Sequence, residues 1–309
     1  MYKRYYQLIG ILILVVILVR LDFNNLFSVL KKINIYKFFL VNLLLIPNLF
    51  LKSFRWKYIL KFQSICYSIK DAFLAYLSGI YAGMITPGRL GETVKAVYLK
   101  NDRNVPFGRG LATILIDRFC DLYFLLLVGL FGIATYHNFF NSWFFFLPVI
   151  FLFFGVPYIL TRQGLITRLA SIFANGGYFE KYSHKFKFHF EEFYATIKVI
   201  NINLVIILAA ITLASYLIYF WQCYLLFLLV VYGIPFFTVM FFVSITALVT
   251  TLPVTFIGIG TREASLIYLF SMIGRSKEEA VCVSFLIFIS FHINTAILGL
   301  FSWYIKGRV

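Results

Sequence analysis

Long apolar segments alternate with short polar ones along nearly the whole chain, and their lengths predict membrane-spanning helices. The segments long enough to span are residues 5–19, 36–51, 111–136, 142–160, 204–232 and 280–304. Two other apolar segments, residues 72–85 and 236–252, run directly into glycine, proline and charged residues. The 14 residues of the first would rise only about 21 Å as a helix, less than the roughly 30 Å hydrocarbon core. We therefore expect each of these two segments to be one arm of a re-entrant helical hairpin.

The polar residues that interrupt these two apolar segments resemble each other. The first polar turn reads Thr-Pro-Gly-Arg-Leu-Gly-Glu over residues 86–92. The second polar turn begins at Pro253 and reads Gly-Ile-Gly-Thr-Arg-Glu over residues 258–263. Paired Gly/Pro-interrupted segments in the two halves of a membrane protein indicate a transporter's binding site. Charged residues at membrane depth are costly and are typical of functional sites.

The composition excludes a soluble globular protein. Hydrophobic residues make up 62% of the chain and the mean hydropathy is +0.90. We predict an all-α polytopic protein of six spanning helices and two re-entrant hairpins, in one transmembrane domain over residues 1–309. Its halves, residues 1–160 and 202–309, would form an inverted repeat joined by residues 161–201. The first apolar segment is expected to be a retained helix, because no small-residue cleavage site follows it.

The net charge of +16 predicts a membrane partner rather than nucleic acid, because the basic residues are scattered between apolar segments. With the N-terminus inside and both hairpins re-entrant, the inside segments carry 18 basic residues and the outside segments carry 6. This bias predicts cytoplasmic termini in the cytoplasmic membrane, with one hairpin opening to each side. The first outside loop, which is net basic, goes against the trend.

The linker at residues 161–201 interleaves aromatic with basic side chains over residues 185–197. A helix lying on the inner leaflet and a solvated connector are both compatible with this pattern. The two histidines here, His184 and His189, have no thiol or carboxylate company, so no metal site is expected. The four cysteines form no metal-binding spacing, and no cofactor motif is present.

The first polar turn carries candidate ligand-binding residues. If the following arm is helical, Arg89, Glu92 and Lys95 share one face because they are three residues apart. Gly88 and Gly91 permit a tight turn and close approach by a ligand. The N-terminus of the arm would offer free N–H groups to a phosphate or carboxylate.

The second polar turn repeats this chemistry, with Arg262 and Glu263 following Gly258 and Gly260. We expect the two turns to meet in one cavity near the bilayer midplane, lined also by Arg118 and Gln222. In the alternative interpretation, each Arg–Glu pair neutralises itself and only fixes its hairpin.

A further charged cluster lies within the apolar segment 111–136. Asp117, Arg118 and Asp121 are spaced to share a helix face, where they would complete the cavity or relay protons. An interfacial cluster near the cytoplasmic end of the helix is the alternative. Gln222 and His292 lie within long apolar helices, where interhelical hydrogen bonding and lining of a wet pathway both remain open.

Residues 87–92, beginning at Pro87, together with residues 117–122 and 258–263, resemble in order and spacing the flippase-like family. This family is named after the transmembrane region of lysylphosphatidylglycerol synthase, the multiple peptide resistance factor. The resemblance places the polar residues of the three family motifs at Arg89 and Glu92, Arg118 and Asp121, and Arg262 and Glu263. It implies translocation of lipids, with anionic headgroups or polyprenyl phosphates as partners. The chain departs from the family at residues 286–289, where many members carry an arginine.

Three functions are compatible with these residues. The first is a lipid flippase, which is not an enzyme, with Arg89 and Arg262 on the headgroup phosphate and the glutamates orienting them. The second is an integral membrane transferase acting on a lipid-phosphate donor, with carboxylates from Glu92, Asp117 and Asp121 serving as base or metal ligands. The third is a structural partner in an envelope complex. No nucleotide motif of the Walker type is present, so ATP is not expected to drive the process directly.

Overall fold

The structure is a computed structural model that describes residues 12–17, 19–135, 183–251 and 255–307. The α-helices of the first half are α1 (Phe23–Lys31), α2 (Ile35–Asn42), α3 (Leu45–Phe62), α4 (Ile69–Ile85), α5 (Val94–Arg103) and α6 (Phe107–Thr135). Those that follow are α7 (Ser183–Lys198), α8 (Ile202–Leu228), α9 (Phe236–Thr251), α10 (Thr261–Met272), α11 (Lys277–Ile287) and α12 (Asn294–Lys306). No strand occurs within these ranges, so the expected all-α class is confirmed.

Several predicted features lie outside the described residues. They are the span at residues 142–160, most of the span at residues 5–19, residues 161–182 of the linker, and Pro253. The remainder of the linker contains α7, which packs against α6. Gln63 at the end of α3 donates a hydrogen bond from Nε2 to the carbonyl of Thr196, 3.0 Å away.

Three helical segments of the described chain are long and apolar enough to cross a membrane: Ile35–Phe62, Ile202–Leu228 and Lys277–Lys306. They match the predicted spans 36–51, 204–232 and 280–304. The first differs in length, because helix continues for eleven residues past Leu51. Buried Trp56, Ile59 and Leu60 at helical spacing extend its apolar face. A span that ended at residue 51 would leave Lys52 and Arg55 in a cytoplasmic segment, but both lie within α3.

Both interrupted segments fold as helix–turn–helix units. In the first hairpin, the 17-residue α4 is followed by a 3₁₀ helix, Pro87–Thr93, and then by α5. In the second hairpin, the 16-residue α9 leads through the short 3₁₀ helix Phe256–Gly258 into α10. The predicted second arms are thus helical, but the first polar turn is 3₁₀ rather than α-helical.

In each hairpin, the beginning of the first arm and the end of the second arm lie close together. Lys306, the last residue of α12, forms ion pairs with Asp71 in the first turn of α4 (3.4 Å) and Asp102 in the last turn of α5 (2.8 Å). At the second hairpin, Arg275 after α10 donates a hydrogen bond to the carbonyl of Tyr232 before α9, at 3.1 Å. Since Arg275 directly precedes the long segment that ends at Lys306, the two hairpins open towards opposite ends of that segment.

Each hairpin packs on a helix of the other half of the chain. The first hairpin contacts α12 along α4, where a Cβ on Gly299 would lie 2.6 Å from the Cβ of Tyr81. The second contacts α6 along α9, where a Cβ on Gly132 would lie 2.7 Å from the ring of Phe241. Glycine at these contacts allows close helix approach, as is usual in membrane bundles.

We predict that Gly91→Ala destabilises the first hairpin by about 2 kcal/mol or more, because overpacking a tight contact displaces the backbone. A Cβ at Gly91 would lie 2.1 Å from the carbonyl oxygen of Ala82. The N–H of Gly91 also donates a hydrogen bond to the hydroxyl of Thr86 at 2.6 Å. Thermal unfolding in detergent measures the effect. Leu90→Ala, in the same turn but exposed, is the control. Equal melting temperatures of the two variants would contradict this packing.

Candidate functional site

A fully buried arginine on α3 lies at the centre of the largest charged cluster. Arg55 is 0% exposed, and its Nε is 2.8 Å from Oδ1 of Asp117 while its Nη2 is 2.9 Å from Oδ1 of Asp121. Its third nitrogen, Nη1, donates to the hydroxyl of Thr212 on α8 at 2.9 Å. One guanidinium therefore connects α3, α6 and α8. Asp117 and Asp121 are thus buried inside the protein.

Lys52 extends this cluster by one turn of α3. Its ammonium is 3.3 Å from Oδ1 of Asp121 and 4.7 Å from the ring centre of Tyr216. Asp121 consequently accepts from two cations, which keeps its buried charge compensated.

Glu92 and Lys95 of the first hairpin join the same cluster from the other side. The Lys95 ammonium is 3.3 Å from Oε2 of Glu92 and 3.9 Å from Oδ2 of Asp117. Arg118 forms an ion pair with Glu92 and lies 3.9 Å from Asp121. These contacts define the first cluster: Lys52, Arg55, Glu92, Lys95, Asp117, Arg118 and Asp121. It contains every candidate charge of the first half except Arg89.

Two glycines of α4 make room for these side chains. A Cβ on Gly79 would lie 2.6 Å from Cγ of Lys95, and a Cβ on Gly83 would lie 2.7 Å from Cγ of Glu92. The Lys95 ammonium also lies 4.7 Å from the ring centre of Tyr76. Because the two glycines are four residues apart, they lie on the same face of α4, and the side chains of Lys95 and Glu92 pack against this face.

Several buried polar atoms of the cluster have no hydrogen-bond partner within the described residues. They are both carboxylate oxygens of Glu92, Nζ of Lys95, Oδ2 of Asp117, Nε of Arg118 and the hydroxyl of Tyr76. Some of these atoms lie at ion-pair distance from an opposite charge, but without the directional geometry of a hydrogen bond. Buried polar groups normally find such partners, so this cluster retains hydrogen-bonding capacity for a ligand or water.

The second polar turn forms a compact cluster of its own. Arg262 donates from Nε to the hydroxyl of Ser284 at 2.7 Å and from Nη2 to Oε1 of Glu263 at 2.6 Å. The other oxygen of Glu263 accepts the N–H of Gly260, also at 2.6 Å. The helix N-terminus that we expected to hold an external anion is therefore capped by a carboxylate of the protein. Of the three guanidinium nitrogens of Arg262, Nη1 is buried without a partner among the described residues.

An aromatic ring supports Arg262 from the last spanning segment. The guanidinium carbon lies 4.9 Å from the ring centre of Phe288, and the His292 ring stacks on the same phenyl group at 5.3 Å. Both belong to a π-helical turn, Phe288–Ile293, of a type that is frequent at functional sites. Nδ1 of His292 is buried and lacks a partner within the described chain.

Arg89 differs from the other candidate arginines. It is exposed, and its side chain has no hydrogen-bond or ion-pair partner in the described part of the protein. Its φ of 57° lies in the left-handed region, which is uncommon for a residue with a side chain. The expected face shared with Glu92 and Lys95 is therefore reduced to Glu92 and Lys95, because the turn is not α-helical at Arg89.

Aromatic contacts link the second cluster to α8. The ring of Tyr219 on α8 lies 4.8 Å from the ring of Phe291, which belongs to the π-helical turn that also contains Phe288 and His292. Tyr219 in turn packs on Tyr216, with ring centres 5.7 Å apart, and Tyr216 lies over Lys52 of the first cluster. Aromatic side chains thus connect the first cluster to the second.

The remaining predicted residues take supporting positions. Gly258 and Gly260 have φ values of 75° and 86°, so they supply backbone conformations that other residues rarely adopt. Pro87 and Gly88 begin the 3₁₀ turn of the first hairpin. Gln222 is fully buried on α8, and neither amide atom has a partner among the described residues.

Sequence reasoning missed Lys52, Arg55, Gly79 and Ser284, and it left His292 undecided. A signal for the first two was present, because Lys52 and Arg55 are three residues apart on a segment whose apolar residues continue at helical spacing to Leu60. Gly79 and Gly83 likewise form a Gly-x-x-x-Gly pattern within the apolar arm. No local pattern marked Ser284, which follows Glu263 by 21 residues.

Comparison with known proteins places these features in a family. The family model described as lysylphosphatidylglycerol synthase TM region matches residues 7–299. The chain is also 25% identical over 318 residues to a UPF0104 membrane protein of Methanocaldococcus jannaschii, covering 97% of this chain and 94% of that protein. The matched residues 7–299 span the two polar turns and the first cluster. The chain belongs to the lysylphosphatidylglycerol synthase TM region family of membrane proteins.

Proposed function

We propose that this protein is a flippase-like lipid translocase of the cytoplasmic membrane. Its cargo would be a phospholipid or a polyprenyl-phosphate-linked glycolipid. The family name refers to the membrane region of a protein that makes a charged phospholipid, which supports a lipid as the ligand. The carrying observation is that each polar turn holds an arginine with free hydrogen-bonding capacity: the exposed side chain of Arg89 and the buried Nη1 of Arg262 have no partner among the described residues.

The hairpins give this proposal its geometry. Their ends meet at Lys306 for the first and at Arg275 for the second, at opposite ends of a 30-residue helical segment. Such a segment is about 45 Å long as a helix, more than the hydrocarbon core of roughly 30 Å. We take this as support for two re-entrant hairpins of opposite orientation, an inverted repeat, with both termini cytoplasmic.

In the proposed mechanism, the headgroup phosphate binds between the two turns. Arg89 offers an unoccupied guanidinium fork, and Arg262 offers Nη1 while Glu263 and Ser284 hold its other nitrogens in place. Glu92 and Glu263 orient the cations around the headgroup. The acyl chains stay in the bilayer while rocking of the two halves exposes the site to alternate sides.

A membrane transferase is the alternative, since Glu92, Asp117 and Asp121 are grouped in the interior. Each of these carboxylates, however, lies within 4.0 Å of at least two cationic side chains. Carboxylates held in this way fit a preorganised charge network better than a general base. Chelation of divalent metals distinguishes the two functions, because a metal-dependent transferase loses its activity and this translocase does not.

The first prediction for the site concerns Arg89 and lipid movement. Arg89→Asn removes the guanidinium but keeps a residue that tolerates the left-handed backbone, so folding should be preserved. We expect headgroup-labelled anionic lipid to cross proteoliposome membranes at least about tenfold more slowly, since a charge-assisted phosphate contact contributes roughly 1.4 kcal/mol or more.

The matched control is Lys31→Asn, which removes the same charge from an exposed position on α1. It should scramble lipid at the unmodified rate. Unchanged transport by Arg89→Asn would remove Arg89 from the headgroup site.

Arg55, by contrast, should be structural. Arg55→Met leaves two buried carboxylates without their main partner, and breaking a buried ion pair in this way costs about 3–5 kcal/mol. We expect a large loss of thermal stability in detergent, which the double variant Arg55→Met/Asp117→Asn partly restores. A single variant as stable as the unmodified protein would show that the network does not hold α3 to α6.

The proposed topology predicts opposite labelling of two exposed sites. Cys66 lies between α3 and α4, and Tyr232 precedes α9 with 91% exposure. A membrane-impermeant maleimide should label Cys66 only from the cytoplasmic side. A cysteine introduced by Tyr232→Cys in a Cys66→Ser background should be labelled only from the outside. Labelling of both positions from the same side would exclude the inverted repeat.

A further inference from the structure

The charges of the first cluster do not balance. Four of its members are cationic and three are anionic: Lys52, Arg55, Lys95 and Arg118 against Glu92, Asp117 and Asp121. The cluster therefore carries one surplus positive charge in a protein interior, where an uncompensated charge is costly.

Arg118 is the surplus cation. Arg55 and Lys95 are completely buried and lie against carboxylates, and Lys52 is paired with Asp121 at 3.3 Å. Without Arg118, three cations face three carboxylates. The Arg118 side chain is also the most accessible of the seven, at 26% exposed.

Arg89 is a second surplus cation beside the first. It lies three residues before Glu92, the carboxylate that Arg118 contacts, in the same 3₁₀ helix. Arg262 adds nothing to this excess, because Glu263 balances it within hydrogen-bonding distance. The described residues of the two polar turns and the first cluster thus carry a combined excess of two positive charges, both on accessible arginines next to Glu92.

We infer that the ligand of this site is a lipid whose phosphate headgroup carries two negative charges, a phosphate monoester or a diphosphate diester. The inference rests on the proposed function and specifies its substrate class. A dianion compensates both Arg89 and Arg118. A phosphate diester leaves one of them uncompensated, and a zwitterionic headgroup leaves both.

Arg118 changes partner when such a headgroup binds. In the structure its guanidinium is held by Glu92, with Asp121 at 3.9 Å. Transfer of Arg118 to the phosphate leaves Glu92 paired with Lys95 at 3.3 Å. The six charges that remain in the cluster are then balanced, so the exchange leaves no buried carboxylate without a cation.

Two lipids that differ by one methyl group test this inference. Phosphatidic acid is a phosphate monoester, and phosphatidylmethanol with the same acyl chains is the diester. The comparison is made at pH 9, well above the second pKa of about 6 of a soluble phosphate monoester, because the negative surface potential of the vesicle raises that pKa. Binding is measured by titrating purified protein in detergent with phosphatidylcholine vesicles that contain either lipid. We expect the monoester to bind at least about tenfold more tightly, a difference of roughly 1.4 kcal/mol.

Variants assign the preference to the two arginines. Arg118→Gln and Arg89→Asn each remove one surplus charge, so each should reduce the preference for the monoester to about threefold or less, under roughly 0.7 kcal/mol. Lys31→Asn should keep the full preference. A preference that survives both arginine variants would overturn the inference.

The remaining outcomes separate this inference from the proposed function. Equal binding of the two lipids, with both transported, overturns the dianion preference and leaves the translocase intact. Failure to bind or move either lipid overturns both. Inorganic phosphate is added as a soluble competitor. If it displaces the monoester at concentrations similar to those of the lipid itself, the ligand is a free anion and the lipid assignment is overturned.

Discussion

The interior of this membrane protein depends on the neutralisation of charges that cannot reach water. Arg55 contacts Asp117, Asp121 and Thr212 at once, and it does so without any exposure. Truncating one partner of such a network leaves an uncompensated ion in a medium of low dielectric constant. The position of α3 against α6 and α8 is therefore fixed by electrostatics as well as by apolar packing. The first hairpin joins the same network through Lys95, so ion pairs with Glu92 and Asp117 help to position its turn.

The two polar turns share a sequence pattern but use it differently. In the second turn, Arg262 and Glu263 bind each other, and Glu263 also caps its own helix. In the first, Glu92 forms its ion pairs with Lys95 and Arg118, and the exposed side chain of Arg89 has no partner among the described residues. The same sequence pattern has in this way produced one arginine that is held in place and one that is not.

The sequence predicted the fold class well because membrane helices are dictated by the length of apolar segments. It predicted the helix–turn–helix units because glycine and proline interrupt short apolar arms. It misplaced the end of the helix containing Arg55, since basic residues directly after an apolar segment are typical of a cytoplasmic loop, and the partner that holds Arg55 inside the protein is remote in sequence. That partner, Asp117, lies 62 positions away in the chain. Ser284 in the second cluster was missed for the same reason. A hydrogen bond between helices that are far apart in the chain produces no periodic pattern in the sequence.

The π-helical turn at Phe288–Ile293 links the second cluster to the packing of the first hairpin. A π-helix accommodates one more residue per turn than a comparable stretch of α-helix, through its i→i+5 hydrogen bonds. At the start of this turn, Phe288 lies under Arg262; after the turn, Gly299 faces Tyr81 and the carbonyl of Leu77. Deleting one residue here would restore a regular α-helix and rotate everything after it by about 100°. The extra residue therefore sets the angle around the helix axis between Phe288 and Gly299. A uniform α-helix would not direct both residues towards their partners, Arg262 and Tyr81.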